Sequence, residues 1–246
     1  MERMNKMIKF ENLEVCGWEP AIRGMRNPMN SWDKSDSLFY TPEGDYCNIN
    51  GNIGPCDVNV DVEIGPNDHD LMMRLNKGGT EHSKYRRMIT VYVDITAPLY
   101  WWKEFDTYKV GTVANSCSTM HKIHAKEFTR DDFSCEHLEN DFDAFCYEPI
   151  SEEFISPVDV LDITITILNY YRNGYLRSKN KNDWWQMIQL LPSSYNQKRT
   201  VMLNYENLAA MYRQRKDHKL DEWHDFCNWI KQLPYSELIT LEEVSE

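Results

Sequence analysis

An α+β fold is the class this sequence predicts, and three observations predict it. Strand-type alternation of β-branched and aromatic residues is clearest in the first half, in Arg86–Thr96. Helical spacing of apolar residues dominates the chain after residue 156. With 246 residues, 41% hydrophobic and 13% aromatic, the chain has the length and composition of one globular domain over 1–246.

Taken in order, Met7–Trp18 (MIKFENLEVCGW) alternates loosely and stops at Gly17, which predicts a first strand. Glu19–Met25 predicts a short helix, ended by the RNPMN turn. Residues 33–66 are rich in Gly, Asn and Asp, and Tyr46–Pro66 reads as a hairpin inside an excursion spanning about 40–64. Cys47 and Cys56 flank it; a zinc site needs about four ligands, so two cysteines read as surface thiols. Pro66–Gly79 predicts a helix, with Asn67 or Asp68 as cap, a Leu71–Met72–Leu75 stripe and a glycine stop. Arg86–Thr96 is the strongest strand. Pro98 suits the first turn of the next helix, which puts Trp101, Phe105 and Tyr108 on one face.

Next comes Gly111–Lys122 (GTVANSCSTMHK), a neutral loop of small hydrogen-bonding side chains. It is either a ligand loop or the cap of a helix starting near Thr119. Residues 156–178 combine a helix start (Ser156–Pro157 with Asp159) with a strand-like ITITI at Ile163–Ile167, and length favours the helix. Asn182–Leu191, Thr200–Arg215 and Lys219–Leu233 predict three more helices, the last with Leu220, Trp223, Cys227 and Ile230 buried. Trp101, Trp102, Trp184 and Trp185 suit core or interface packing, with stacking on a flat ligand as the alternative.

The net charge of −12 disfavours a nucleic-acid polymer as partner. That charge is uneven: Asp131–Glu153 holds nine acids and no Lys or Arg, while Asn196–Lys219 holds six basic residues against two acidic. A small anionic ligand therefore remains compatible. Seven cysteines without a CxxC pair fit reduced thiols, and neither a signal core nor a membrane-length apolar run occurs, so a cytoplasmic protein is expected. GxxxxGK[ST], GxGxxG, HExxH and GxSxG are all absent. The spacings of Cys117, His121, His124, Cys135 and His137 match no ligand pair, so no metal is expected and the histidines are read as making ordinary hydrogen bonds.

What remains is order: Gly78–Gly79 with His82 and Ser83, a strand, a helix, a loop with Asn115 and Ser118, then Leu191–Pro192, Lys198 or Arg199, Asn204, Leu208 and Arg215. In that order and spacing the sequence resembles the flavin-dependent thymidylate synthases, over roughly residues 8–235 with 40–64 inserted. It departs from their RHRxxSxNExSxR loop at Tyr108–Lys109–Val110, Val113, Ser116 and Met120, and has Asp221 and Trp223 where Gln and Glu are usual. The resemblance implies the thymidylate synthase-like fold, reductive methylation of dUMP to dTMP with FAD, methylenetetrahydrofolate and NADPH, and a homotetramer with sites between subunits. Carried over residue by residue, it implies a nucleotide site of Arg215, Arg199, Lys198, Lys109, Glu104, Ser116 and Ser118. It likewise implies a flavin site of His82, Ser83, Tyr85, Asn115, His121 and Asn204, and assigns no catalytic residue. The lost RHR triplet supports an alternative: a member without turnover that binds or sequesters a nucleotide, of viral or mobile-element origin.

Overall fold

A computed structural model of the chain describes residues 8–40, 45–47, 53–55, 62–140 and 155–241, giving the backbone alone at 45–47 and 53–55. The strands are β1 (Lys9–Cys16), β2 (Leu38–Tyr40), β3 (Asp45–Cys47), β4 (Ile53–Pro55), β5 (Val62–Glu63), β6 (Thr90–Pro98), β7 (Val113–Ser116) and β8 (Asn196–Asn204). The helices are α1 (Trp18–Arg26), α2 (Pro66–Lys77), α3 (Leu99–Phe105), α4 (Pro157–Ser178), α5 (Lys181–Leu190), α6 (Tyr205–Arg215), α7 (Asp221–Ile230) and α8 (Glu237–Thr240). One four-stranded sheet has the order β1-β6-β8-β7, the other β4-β3-β2-β5. The chain forms two compact units, each discontinuous. The first comprises Met1–Lys9, Asp94–Thr107 and Asn115–Thr200; the second comprises Phe10–Val93, Tyr108–Ala114 and Val201–Glu246.

The second unit is organised by one buried carboxylate. Asp68 is fully buried and takes a 2.6 Å contact from Arg26 Nε, itself 4% exposed. Its other oxygen accepts from Ser35 Oγ, Ser37 Oγ and the Asp36 and Ser37 amides. The expected cap role of Asn67 or Asp68 is corrected here: Gly65 is the N-cap, and Asp36 reaches over to accept from the Asn67 and Asp68 amides. A charge that close to a helix start is stabilising, but this one also has a cation beside it, and burial of the pair decides its position. The excursion forms the second sheet, with β3 and β4 antiparallel at Tyr46 opposite Gly54. The Cys47 side chain and Cys56 lie outside the described residues.

The first unit has a core of Ile123, Phe128, Phe133, Leu161, Leu168 and Met187. Helix α4 starts at a capping box, the Asp159 amide donating to Ser156 Oγ and the Ser156 amide to Asp159 Oδ2. The alternating ITITI run is helical, as its length requires: Leu161 and Leu168 go inward at a seven-residue interval, while Ile163 and Ile167 stay exposed. Asn169 clamps the Phe128 backbone with two hydrogen bonds of 2.9 Å.

Four expected boundaries change. The strand expected over Arg86–Thr96 runs from Thr90 to Pro98, preceded by a 3₁₀ turn at Ser83–Arg87. Pro98 ends that strand, extended at ψ 150, instead of sitting inside the helix; α3 begins at Leu99, where the Leu99 and Tyr100 amides donate to the Tyr195 and Ser193 carbonyls. The neutral loop Gly111–Lys122 contains strand β7, all four residues exposed. The helix expected over Thr200–Arg215 starts only at Tyr205, because Gln197, Val201 and Leu203 are buried with the two-residue period of β8.

Removing the Asp68 carboxylate strands a buried guanidinium. Asp68→Ala is expected to lose about 3–5 kcal/mol of stability, whereas Glu19→Ala, which breaks a half-exposed pair with Arg23, loses at most about 1 kcal/mol. Urea unfolding of both variants against the parent measures the difference.

Candidate functional site

Helix α6 carries the most informative residue of the second unit. Its N-terminus is a reciprocal cap, the Asn207 amide donating to Asn204 Oδ1 and the Asn204 amide to Asn207 Oδ1. The segment Tyr108–Gly111 runs beside this helix, its Val110 carbonyl accepting from Asn207 Nδ2 at 2.8 Å. Gly111 has φ +77, and a Cβ there would meet the Asn207 side chain at 2.9 Å, so both conformation and space require glycine. At the other end of α6, Arg215 donates through Nε to the Tyr108 hydroxyl at 2.8 Å. That hydroxyl donates in turn to Gln214 Oε1. The Arg215 guanidinium also stacks 4.7 Å from the ring centre of the fully buried Trp223. Arg215 and Asn204 thus share one helix and one flanking segment, but stand at its opposite ends.

In the first unit, β8 sends its two cations to opposite faces. Arg199 lies on the Trp102 ring at 4.2 Å and donates to Asp106 Oδ1 and Gln197 Oε1. Lys198 pairs with Asp94 at 3.3 Å, and Thr200 Oγ1 donates to the same carboxylate. Ser118 is half-buried; its hydroxyl accepts from the Met120 and His121 amides, forming a turn after which no helix starts. That disposes of the capped helix near Thr119. Asn115 and Ser116 sit on exposed β7, Glu104 is half-buried on α3, and His121 is exposed.

The remaining candidates surround the 3₁₀ turn of the second unit. Ser83 and Tyr85 are buried, Ser83 donating to the Gly79 carbonyl and Tyr85 to Met72 O and Asn76 Oδ1. Burial raises the Tyr85 hydroxyl well above the ordinary tyrosine value. Arg86 pairs with Glu206 at 2.6 Å. His82 and Lys109 are exposed.

The expected ordinary hydrogen bonding of His124 is corrected: its Nδ1 is buried without a partner. Among the described residues no group of three or more His, Cys, Asp or Glu is placed to hold a metal. Burial pushes Cys227 up to about 11 and raises Cys135 and Cys16 as well, so none of the three is an activated nucleophile. No helix of the described residues is long and apolar enough to cross a membrane.

No protein-family model and no curated protein matches the sequence. Solved structures do. Thymidylate synthase X from Helicobacter pylori, crystallised with FAD and dUMP, superposes with a TM-score of 0.57 at 15% identity, over 95% of this chain and 96% of that one. A second structure of the flavin-dependent enzyme from the same organism, also with FAD and dUMP, matches at 0.57 and 14% identity, over 94% and 98%. The fold is that of a flavin-dependent thymidylate synthase. At this identity the likeness carries the fold and no activity. Tyr108 and Trp223, which hold Arg215, read in the sequence as a helix-face aromatic and a core residue, and as departures from the family motif.

Arg199 is a flat cation on a flat ring, which lysine cannot reproduce. Arg199→Lys is expected to lose about 0.5–2 kcal/mol of stability. A matched loss in Trp102→Leu/Arg199→Lys relative to Trp102→Leu would show instead that the ring contact contributes nothing; chemical denaturation of the four proteins reads this out.

Proposed function

We propose that this chain binds a pyrimidine mononucleotide of the dUMP type, with Arg215 receiving its phosphate. The observation that carries the reading is that the motif order converging on Arg215 occurs in a chain with the fold of an enzyme solved with dUMP. Arginine suits the role because its planar fork donates to two phosphate oxygens at once, and the Trp223 and Tyr108 rings hold that plane in place. Lys198, Arg199, Lys109, Glu104, Ser116 and Ser118 are the further nucleotide-site candidates that the resemblance names.

The residues present do not fit a flavin. Of the six suggested for it, Ser83 and Tyr85 are buried in internal hydrogen bonds and Asn204 caps α6. At the position of the family's cationic triplet, Tyr108 is engaged with Arg215 and Gln214 while Val110 is 89% exposed. Binding without turnover is the reading these engaged side chains support. A second reading, dUMP methylation by an FAD-containing synthase, is supported by the near-complete coverage of the Helicobacter pylori structures. Visible absorbance of the purified protein separates the two: a bound flavin chromophore supports the synthase, and a colourless protein that binds dUMP supports the first.

Calorimetric titration with dUMP tests Arg215 itself. Arg215→Ala is expected to lose about 1.5–3 kcal/mol of binding free energy, and Arg215→Lys a large part of it, since a charged hydrogen bond of this kind contributes about that much. Unchanged affinity in the lysine variant would reduce Arg215 to a helix-end charge and ring partner.

Assembly into a homo-oligomer, a tetramer, is part of the proposal. Helix α4 exposes Val160, Ile163, Ile167 and Tyr170 at intervals of three, four and three, the stripe a second helix would cover. Light scattering is expected to give a multiple of the 29.3 kDa chain mass, with Ile163→Glu/Ile167→Glu shifting it toward the monomer.

A further inference from the structure

The first unit holds a basic groove that contains none of the residues assigned to the Arg215 proposal. It is an open cavity of about 320 Å³ lined by Lys179 and Lys181, His121 and His124, and the rings of Tyr175 and Trp184. That volume is in the small-ligand range. Among the described residues no carboxylate lines it, although the chain carries net charge −12. Neither lysine forms an ion pair with a described residue. Lys179 caps α4 in the left-handed conformation, φ 56, with its Nζ 5.4 Å above the Tyr175 ring. Lys181 opens α5, with its Nζ 5.9 Å above Trp185. Trp184 is fixed by a 3.0 Å hydrogen bond from Nε1 to the Met120 carbonyl.

His124 sits at the centre of this arrangement. Its ring packs edge-on against Tyr175 at 4.8 Å, and its buried Nδ1 has no hydrogen-bond partner. The charged groups facing it are Lys122 on its own segment and Arg172 and Lys179 on α4, all cations. Arg172 also anchors the segment by donating Nε to the His124 carbonyl at 3.1 Å. Burial first, and then these three cations, hold the imidazole below its ordinary pKa of 6.5. A cluster of cations without a counter-ion, beside an unsatisfied ring nitrogen and two aromatic faces, is complementary to one kind of ligand.

We infer that this groove binds an organic phosphate carrying a flat ring, of the mononucleotide class. The phosphate oxygens meet Lys179, Lys181 and the histidines, where several donors converge on one dianion. The ring lies against Trp184 or Tyr175. Because the anion stabilises the imidazolium, binding takes up a proton at His124. Affinity for the dianion therefore rises as pH falls toward the histidine range, until the phosphate takes up its own second proton at about pH 6.

The test is nitrogen-15 NMR of the histidine side chains in the full chain, with His124 assigned from His124→Gln. UMP, inorganic phosphate and uridine are added separately. UMP is expected to shift His124 toward the imidazolium form at a pH where the free ring is neutral. Inorganic phosphate should do so only at higher concentration, and uridine not at all. Lys179→Asn/Lys181→Gln should weaken the UMP response roughly tenfold or more, asparagine being chosen because it tolerates the left-handed backbone at 179. Lys181→Gln alone, at an exposed helix start, should show a smaller loss in the same direction and serves if the double variant is unstable. Arg215→Ala should leave the His124 response unchanged, so that failure of this groove and failure of the Arg215 reading are told apart. A His124 signal that ignores millimolar UMP, or a lysine variant that titrates like the parent, would overturn the inference.

Discussion

A buried carboxylate tolerates no partial solution: each of its lone pairs must be met, and its charge must be balanced. Asp68 meets both demands by drawing Arg26 from the end of α1 and the Ser35–Ser37 backbone onto the first turn of α2. Asp36, in the same backbone stretch, then caps the helix that presents Asp68. Each acid accepts from the backbone of the segment that carries the other, so helix start, loop and charge pair are tied to one another. The second unit has its hydrophobic surfaces elsewhere, but this polar knot fixes how the chain enters α2 and leaves α1.

Two of the arginines carried by β8 and α6 lie against flat rings. Arg199 has Trp102 and Asp106; Arg215 has Trp223 and Tyr108. A guanidinium stacked on an aromatic face keeps its in-plane donors aimed at the edge of the ring system, where a planar or tetrahedral anion can be met. The strand β8 and helix α6 follow one another directly, so one short stretch of sequence delivers both arginines, one on a strand face and one at a helix end. This is the physical content of the basic stretch between Asn196 and Lys219.

Much of the fold was legible because it rests on local periodicity. Ser156 and Asp159 announce α4 through a reciprocal cap that needs only neighbours three residues apart. The length of that segment outweighed its ITITI alternation, and Leu161 with Leu168 bears this out. Of the candidate residues, Asn204 and Arg215 stand at the two ends of α6, Asn204 as its N-cap, where the sequence placed both inside one longer helix. Ser83 and Tyr85 were legible as a turn after α2, but not as buried side chains bonded within it.

By itself the sequence determined where most helices begin and which strand is β6. Those features depend on side chains a few positions apart, so a window of sequence contains their cause. The tertiary structure alone decided that Thr200–Asn204 is strand and not helix, since neighbouring strands supply backbone partners no window shows. It alone decided that Asp68 pairs with Arg26 across forty-two residues, that Tyr108 and Trp223 frame Arg215, and that His124 faces three cations. The reason is common to all four: burial and charge are properties of what surrounds a residue in space, and those surroundings come from distant parts of the chain.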